Sequence, residues 1–182
     1  LSKGFLEKAR KLAEAQVRIF HERVSEEVPL VGLEPSALLG FRDEYPRLVR
    51  PPLREGAEQL AGRAFLVEEF LLREVEAGRI GPGDFTDQPA RVLLHGHCHQ
   101  KSLASAAPTA LLLGLPENYS AELIPAGCCG MAGSFGYEKE HYEISMQIGE
   151  LSLFPALRKA PAEVILAAPG TSCRHQIFDG TG

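Results

Sequence analysis

The chain has 182 residues, of which 45% are hydrophobic and 24% charged, and its net charge is −5. This length and composition indicate an ordinary globular protein of one large or two small domains. A negative net charge without a dense Lys/Arg stripe argues against a nucleic-acid partner. No apolar run approaches the roughly 20 residues that cross a bilayer, so no transmembrane segment is expected.

Two features of the whole chain bear on the length of the parent protein and on its cellular compartment. The chain starts at Leu1 without a Met or a basic and apolar leader, which predicts a fragment of a longer protein. Four cysteines without a secretion signal favour a reducing compartment, where thiols are more often ligands or redox groups than disulfides. A cytoplasmic location is therefore expected, with any membrane association made through partners.

The first part of the chain, residues 1–80, is predicted to be helical with one short strand. Ser2 is the predicted N-cap of the first helix, and the glycines and proline of residues 78–83 predict the end of the unit. In chain order we expect a helix over 2–27, a strand at 28–33, a helix at 37–45 and a helix at 56–78.

The second part, residues 84–182, alternates short apolar segments with helical ones. This order predicts an α/β fold with a parallel sheet covered on both faces, a three-layer Rossmann-like unit. The predicted strands are 91–95, 121–124 and 163–168, and the predicted helices are 100–113 and 135–157.

A weak internal repeat relates the two parts. A helix and a strand lead to Ser36 and Ala37 in the first part, and a similar order leads to Ser172 and Cys173 in the second. The repeat predicts a first copy that is truncated and a second copy that is complete. Ala37 would then hold a ligand position with a residue that cannot ligate.

All four cysteines follow predicted strands. Cys98 follows the first strand of the second part, Cys128 and Cys129 follow the next within a glycine-rich loop, and Cys173 follows the last. In parallel sheets, ligands bind beyond the carboxyl ends of the strands. Thiolates bind zinc and iron–sulfur clusters well, so the three loops predict one metal site with these four ligands.

Several nearby residues are candidates for supporting the site. The glycines, Gly130 among them, are expected to let backbone N–H groups approach the sulfur atoms. His95 and His99 are expected to be supporting or hydrogen-bonded loop histidines, while His97 with His95 forms a competing layout for a hydrolytic zinc site. Residues expected around the ligands are His97, His99, Gly130, Arg174 and His175, with Arg174 balancing negative charge.

The order of Cys98 within His-Cys-His, then Cys128-Cys129-Gly130, then Cys173 resembles the cysteine-rich CCG domain family. That family includes the B subunit of heterodisulfide reductase, iron–sulfur subunits of glycolate oxidase and anaerobic glycerol-3-phosphate dehydrogenase, and the C-terminal part of FAD-linked oxidoreductases. The amino-acid sequence of residues 128–136 most resembles the FAD-linked branch of this family. The family pattern ends in Cys-x-x-Cys, and Gly170 stands at the first of those two positions.

This resemblance implies an electron-transfer domain that is not catalytic alone. It implies a [4Fe–4S] or related cluster, FAD in a separate domain or subunit, and partners in that flavin part and in an upstream cluster-binding region. Two alternatives stay open. One is a structural or interaction domain of an oxidoreductase complex that is stabilised by zinc, and the other is thiol–disulfide chemistry of the heterodisulfide reductase type at Cys128 and Cys129.

Overall fold

A computed structural model describes residues 1 and 3–182, and the chain divides into two compact units, Leu1–Phe70 and Leu71–Gly182. Both units combine helices with parallel strands, so the predicted α/β fold is confirmed. The assignment of 1–80 to a partial repeat and of 84–182 to a complete one stays a prediction. The N-cap expected at Ser2 lies outside the described residues, and no helix within the described ranges has the length and apolarity to cross a membrane.

The first unit is a set of helices around a small sheet. Its two strands pair in parallel, with Leu30 opposite Ala64 and Gly32 opposite Leu66. In chain order the elements are α1 (Leu6–His21), β1 (Leu30–Gly32), α2 (Pro35–Arg42), α3 (Glu44–Leu48), α4 (Pro51–Gly62), β2 (Ala64–Leu66) and α5 (Val67–Glu76), the last of which continues into the second unit.

The single helix expected over residues 56–78 is wrong, because β2 interrupts it. Ala64 and Leu66 are fully buried and complete the sheet with β1, so pairing outweighs the helical periodicity of the sequence. The helix α4 begins at Pro51, where the fixed φ of proline suits a first helical turn.

The core of the first unit lies between α1 and α4. Ala13 and Val17, one turn apart on α1, are buried with Ala57 and Leu60 of α4. The larger side chains of Leu12 and Ile19 on the same helix are about half exposed. Small side chains at the contact let two helices approach closely, which explains why the smaller residues face inward.

The second unit contains the three predicted strands with helices between them. Its elements are β3 (Ala90–Leu94), α6 (Cys98–Leu103), α7 (Ala107–Leu113), β4 (Tyr119–Leu123), α8 (Tyr142–Glu150), α9 (Leu153–Arg158), β5 (Ile165–Ala167) and α10 (Thr171–Thr181), with 3₁₀ turns at Pro82–Asp84 and Phe135–Tyr137.

The sheet of the second unit has the order β4-β3-β5, and both pairings are parallel. Leu94, the last residue of β3, lies opposite Leu123 on one side and Ala167 on the other. The backbone N–H of His95 continues the ladder by donating to the carbonyl of Ala167 at 2.8 Å. All three strands therefore end at one edge, and the loops that leave them begin side by side.

The long helix expected over residues 135–157 is wrong, because the chain turns between α8 and α9. The ring of Phe154 is fully buried and lies against Gly149 of α8 and Gly180 of α10. A Cβ would lie 2.4 Å from that ring at position 149 and 2.2 Å at position 180. Burial of Phe154 between two glycines thus decides the break, and Pro155 is the sequence signal that accompanies it.

The helix expected over residues 100–113 is also divided. The first segment, α6, ends at Leu103, and α7 begins at Ala107 with Pro108 in its first turn. Proline is tolerated in a first turn but not in the interior of a helix, so a second helix starts there. The helix α10, which positions Cys173, has no counterpart among the expected elements.

Candidate metal centre

The four cysteines lie on the three loops that leave the carboxyl edge of the sheet. Cys98 is the first residue of α6, just after β3. Cys128 and Cys129 lie in the loop after β4, and Cys173 lies in the first turn of α10, just after β5. The sheet topology therefore brings together residues that are far apart in the sequence.

The four thiols form a continuous row in which each contacts the next. Cys98 contacts Cys128, Cys128 contacts Cys129, and Cys129 contacts Cys173. All four are free thiols rather than disulfides. Cys129 and Cys173 are buried, with 2% and 1% of their surface exposed, whereas Cys98 and Cys128 are half-buried. The cluster thus has a buried inner pair and a more accessible outer pair.

The loop after β4 wraps its backbone around the sulfur atoms. The N–H of Gly130 donates to Sγ of Cys128 at 3.3 Å, and Ala132 also donates to that sulfur. Gly130, Ala132 and Gly133 all have positive φ, at 102°, 43° and 67°. Turn conformations of this kind direct backbone N–H groups into a concavity that holds negative charge.

The shape of this loop requires glycine at position 130. A Cβ there would lie 2.1 Å from the carbonyl oxygen of Ser145 on α8. Gln176 of α10 secures the same place, because its amide donates to the carbonyl and hydroxyl of Ser145 at 2.9 and 3.0 Å. Glycine is therefore needed at position 130 both for its positive φ and for the close contact with α8.

Contacts among the thiols separate their acidities. Contacts with Cys129 and with the imidazole of His95, opposed by burial, lower the pKa of Cys173 to about 5. Hydrogen bonds from Cys129 and Cys98 hold the pKa of Cys128 far below its usual range. The pKa values of Cys98 and Cys129 are raised, chiefly because they donate to Cys128. These contacts favour the thiolate form at Cys128 and Cys173, and thiolates are the form that binds metals.

His95 lies at the base of this cluster. Its side chain is 1% exposed, and neither ring nitrogen has a hydrogen-bond partner of normal geometry among the described residues. Leaving a buried polar group unpaired costs about 1–3 kcal/mol. The ring of His95 contacts Cys173, and the expectation that His95 is a supporting or hydrogen-bonded histidine stays a prediction.

His95, Cys129 and Cys173 form a group with the composition of a metal site. One ligand atom from each lies within 4.8 Å of the other two. A tetrahedral zinc ion, with bonds of about 2.3 Å to sulfur and about 2.0 Å to nitrogen, holds such atoms about 3.5–3.8 Å apart. The donors present fit a transition metal in chemistry and, after a small contraction, in spacing.

The other histidines take different places. His97 accepts a hydrogen bond at Nδ1 from the N–H of His99 and thereby caps α6. Its ring lies against Gly170, while His99 is exposed. His97 is not in the compact donor group that contains His95, so the described geometry gives no support to a hydrolytic site built on the two histidines.

The two residues that follow Cys173 both point to the outer side of α10. Arg174 donates to the carbonyls of Ala168 and Pro169 at 3.2 and 3.4 Å, so its guanidinium secures the loop after β5. His175 is exposed and meets the ring of Tyr137 edge-on, with centroids 6.0 Å apart. Their roles around a bound metal stay predictions.

Lys101 is a residue at the site that the sequence did not single out. Its ammonium donates to the carbonyls of Ala126 and Gly127 at 2.6 and 2.7 Å. These are the two residues before Cys128, so Lys101 ties α6 to the cysteine loop. Its position one helical turn after His97 is the only sequence signal, and it becomes informative once α6 is known.

The fold and the site together define a class of protein. It is an α/β domain that holds a cluster of thiols and one buried imidazole at the carboxyl edge of a parallel sheet, a donor set suited to a transition metal.

Particular relatives follow from sequence comparison. The chain is 32% identical over 184 residues to D-2-hydroxyglutarate dehydrogenase of Escherichia coli K12, covering 99% of this chain and 17% of that protein. It is 28% identical over 178 residues to the C subunit of anaerobic glycerol-3-phosphate dehydrogenase from the same organism, covering 97% and 43%. A D-2-hydroxyglutarate dehydrogenase of Pseudomonas putida is 33% identical over 156 residues, covering 82% of this chain and 13% of that protein. The chain therefore spans less than half the length of these relatives.

These similarities confirm the expected relationship to oxidoreductases, including the glycerol-3-phosphate dehydrogenase. No protein-family model matches the chain, and no solved structure matches it significantly. Membership of the CCG domain family stays a prediction.

Proposed function

We propose that this chain is the metal-binding electron-transfer domain of a larger dehydrogenase. The observation that carries the proposal is the convergence of four free thiols at one edge of a parallel sheet. Similarity to dehydrogenases over nearly the whole chain supports a redox role. Because the chain matches only 17–43% of those proteins, substrate oxidation is assigned to other parts of the parent protein.

In this proposal Cys98, Cys128, Cys129 and Cys173 hold a [4Fe–4S] or related cluster. Such a group, when bound, takes up and releases electrons. The chain's own part is to supply thiolates, to place N–H groups on Cys128 and to exclude water. Met131, which is 1% exposed and packs with Cys129 and Cys173, serves the last of these.

The proposed partner is a flavin-containing domain or subunit that oxidises a small 2-hydroxy acid or a similar substrate. The relatives named for D-2-hydroxyglutarate support this substrate class. A further cluster-binding region upstream is proposed as the other partner. A reducing, cytoplasmic setting suits four thiols that serve as ligands.

The test is metal uptake by the chain under anaerobic conditions. Reconstituted protein is expected to bind iron and sulfide in fixed stoichiometry and to show a reducible visible absorption. Cys129→Ser is expected to abolish that uptake, whereas His99→Gln, at an exposed position, is expected to preserve it. Iron and sulfide uptake that Cys129→Ser leaves unchanged would contradict the proposal.

One observation favours a second candidate function, in which a bound zinc ion stabilises the folded domain. The compact spacing of His95, Cys129 and Cys173 suits a single ion. One zinc per chain, no redox activity and a large fall in Tm on chelation would support this alternative over a cluster.

A further inference from the structure

We propose that His95 is a direct ligand of the metal centre. The buried part of this centre then consists of two sulfurs, from Cys129 and Cys173, and the imidazole of His95. This rests on the proposed metal binding and goes beyond it, because that proposal uses only the four thiols as ligands. The burial of His95 and its compact spacing with Cys129 and Cys173 carry the inference.

The backbone fixes His95 before any metal binds. Its N–H is bound to Ala167 at 2.8 Å, and it directly follows β3, the central strand of the sheet. Cys129 and Cys173 reach the same place from the loops after the two neighbouring strands. A ligand on the central strand with one from each side gives three rigid points of attachment around one position.

A metal-binding histidine binds through one neutral ring nitrogen and directs its other nitrogen to a protein acceptor. The ring of His95 contacts Cys173, but among the described residues no oxygen or nitrogen partner lies within hydrogen-bond reach of either ring nitrogen. A metal ion held with Cys129 and Cys173 would satisfy one of these two nitrogens.

The thiol contacts also indicate the fourth ligand. Cys128 touches Cys129 directly, whereas Cys98 reaches the group through Cys128. Around a single ion Cys128 would therefore complete the set, whereas Cys98 is near enough only for a larger cluster. Three thiolates and one neutral imidazole carry one negative charge fewer than four thiolates, which lowers the electrostatic cost of burying the site.

The test loads the metal-free, 182-residue chain with ¹¹³Cd²⁺ after labelling its histidines with ¹⁵N. One scalar coupling between the cadmium and an imidazole nitrogen is expected in the unchanged chain. The coupling should disappear in His95→Gln and persist in His99→Gln, the exposed control. Affinity from competition with a chelator should fall more than about 100-fold in His95→Gln, since loss of a merely supporting partner costs about 10–100-fold.

The outcomes separate this inference from the proposed function. Failure of the unchanged chain to bind cadmium, zinc or iron would overturn both. Stoichiometric binding without a cadmium–nitrogen coupling, or with an affinity that His95→Gln leaves within tenfold, would overturn the role of His95 alone. If His95→Gln does not fold, His95→Cys replaces it; a tetrahedral four-thiolate cadmium spectrum there, with the nitrogen coupling lost, supports direct ligation.

Discussion

The imidazole of His97 occupies the space that a side chain at Gly170 would need. A Cβ at position 170 would lie 2.2 Å from Cδ2 of His97, and contacts under about 3 Å force one of the two groups to move. The two residues belong to different loops of the site, so this contact sets how closely the loops after β3 and β5 approach. In this structure a cysteine at position 170 would overlap the ring of His97.

Gly170→Cys is therefore expected to destabilise the chain rather than to add a ligand. The predicted loss is about 1–3 kcal/mol of unfolding free energy, because the added side chain overlaps the ring. The double variant with Gly170→Cys and His97→Ala should lose less unfolding free energy than the sum of the losses in the two single variants. Urea unfolding of the four members of this cycle measures the coupling, and strict additivity would contradict the contact.

Lys101→Met is expected to weaken metal binding without removing a ligand. The change deletes two charged hydrogen bonds to Ala126 and Gly127, so the cysteine loop loses its tie to α6. Metal affinity should fall about 10–100-fold, as for other groups that orient ligands. Chelator competition measures this, with Lys139→Met at an exposed position as the control; equal affinities for both variants would show that the tie does not orient the loop.

Gly130 and Gly133 form a matched pair for testing the cysteine loop. Both have positive φ, but only position 130 faces another backbone, whereas nothing lies within 4 Å of a Cβ at position 133. Gly133→Ala should cost about 1–2 kcal/mol through the strained φ alone. Gly130→Ala should cost distinctly more and abolish metal binding, because Ser145 blocks the added methyl group. Thermal unfolding and metal uptake of both variants test this. Similar losses of stability in the two variants would mean that the backbone φ alone, and not the contact with Ser145, requires glycine.

We expect the first unit to lose stability at high pH because of Tyr45. Burial, with a smaller effect of Glu44, raises the pKa of Tyr45, and its hydroxyl donates to Gln16. The neutral form is thus favoured in the folded state. The stabilisation is complete below about pH 10, where an unfolded tyrosine titrates, and is lost as pH rises through the raised pKa of the folded state. Tyr45→Phe should remove this part of the alkaline decline and Tyr142→Phe should not, as measured by urea unfolding from neutral to alkaline pH.

Much of the fold followed from the pattern of the chain, and the wrong predictions have physical causes. The three strands of the second unit were predictable because short apolar runs between helical segments favour a parallel sheet. The strand β2 was not, since Ala64 and Leu66 continue a helical pattern and pair only once β1 is beside them. The break before α9 depends on Phe154 fitting between Gly149 and Gly180, a contact across three helices that no local pattern encodes.

For the site, the sequence by itself determined which residues carry the chemistry. Thiols placed just after predicted strands had to meet at one edge, because parallel strands end together. Only the tertiary structure decided that His95 is buried beside Cys129 and Cys173 and that Lys101 holds the loop before Cys128. Local sequence encodes strand ends and thiol chemistry, whereas burial and missing hydrogen-bond partners arise from residues far along the chain and exist only after folding.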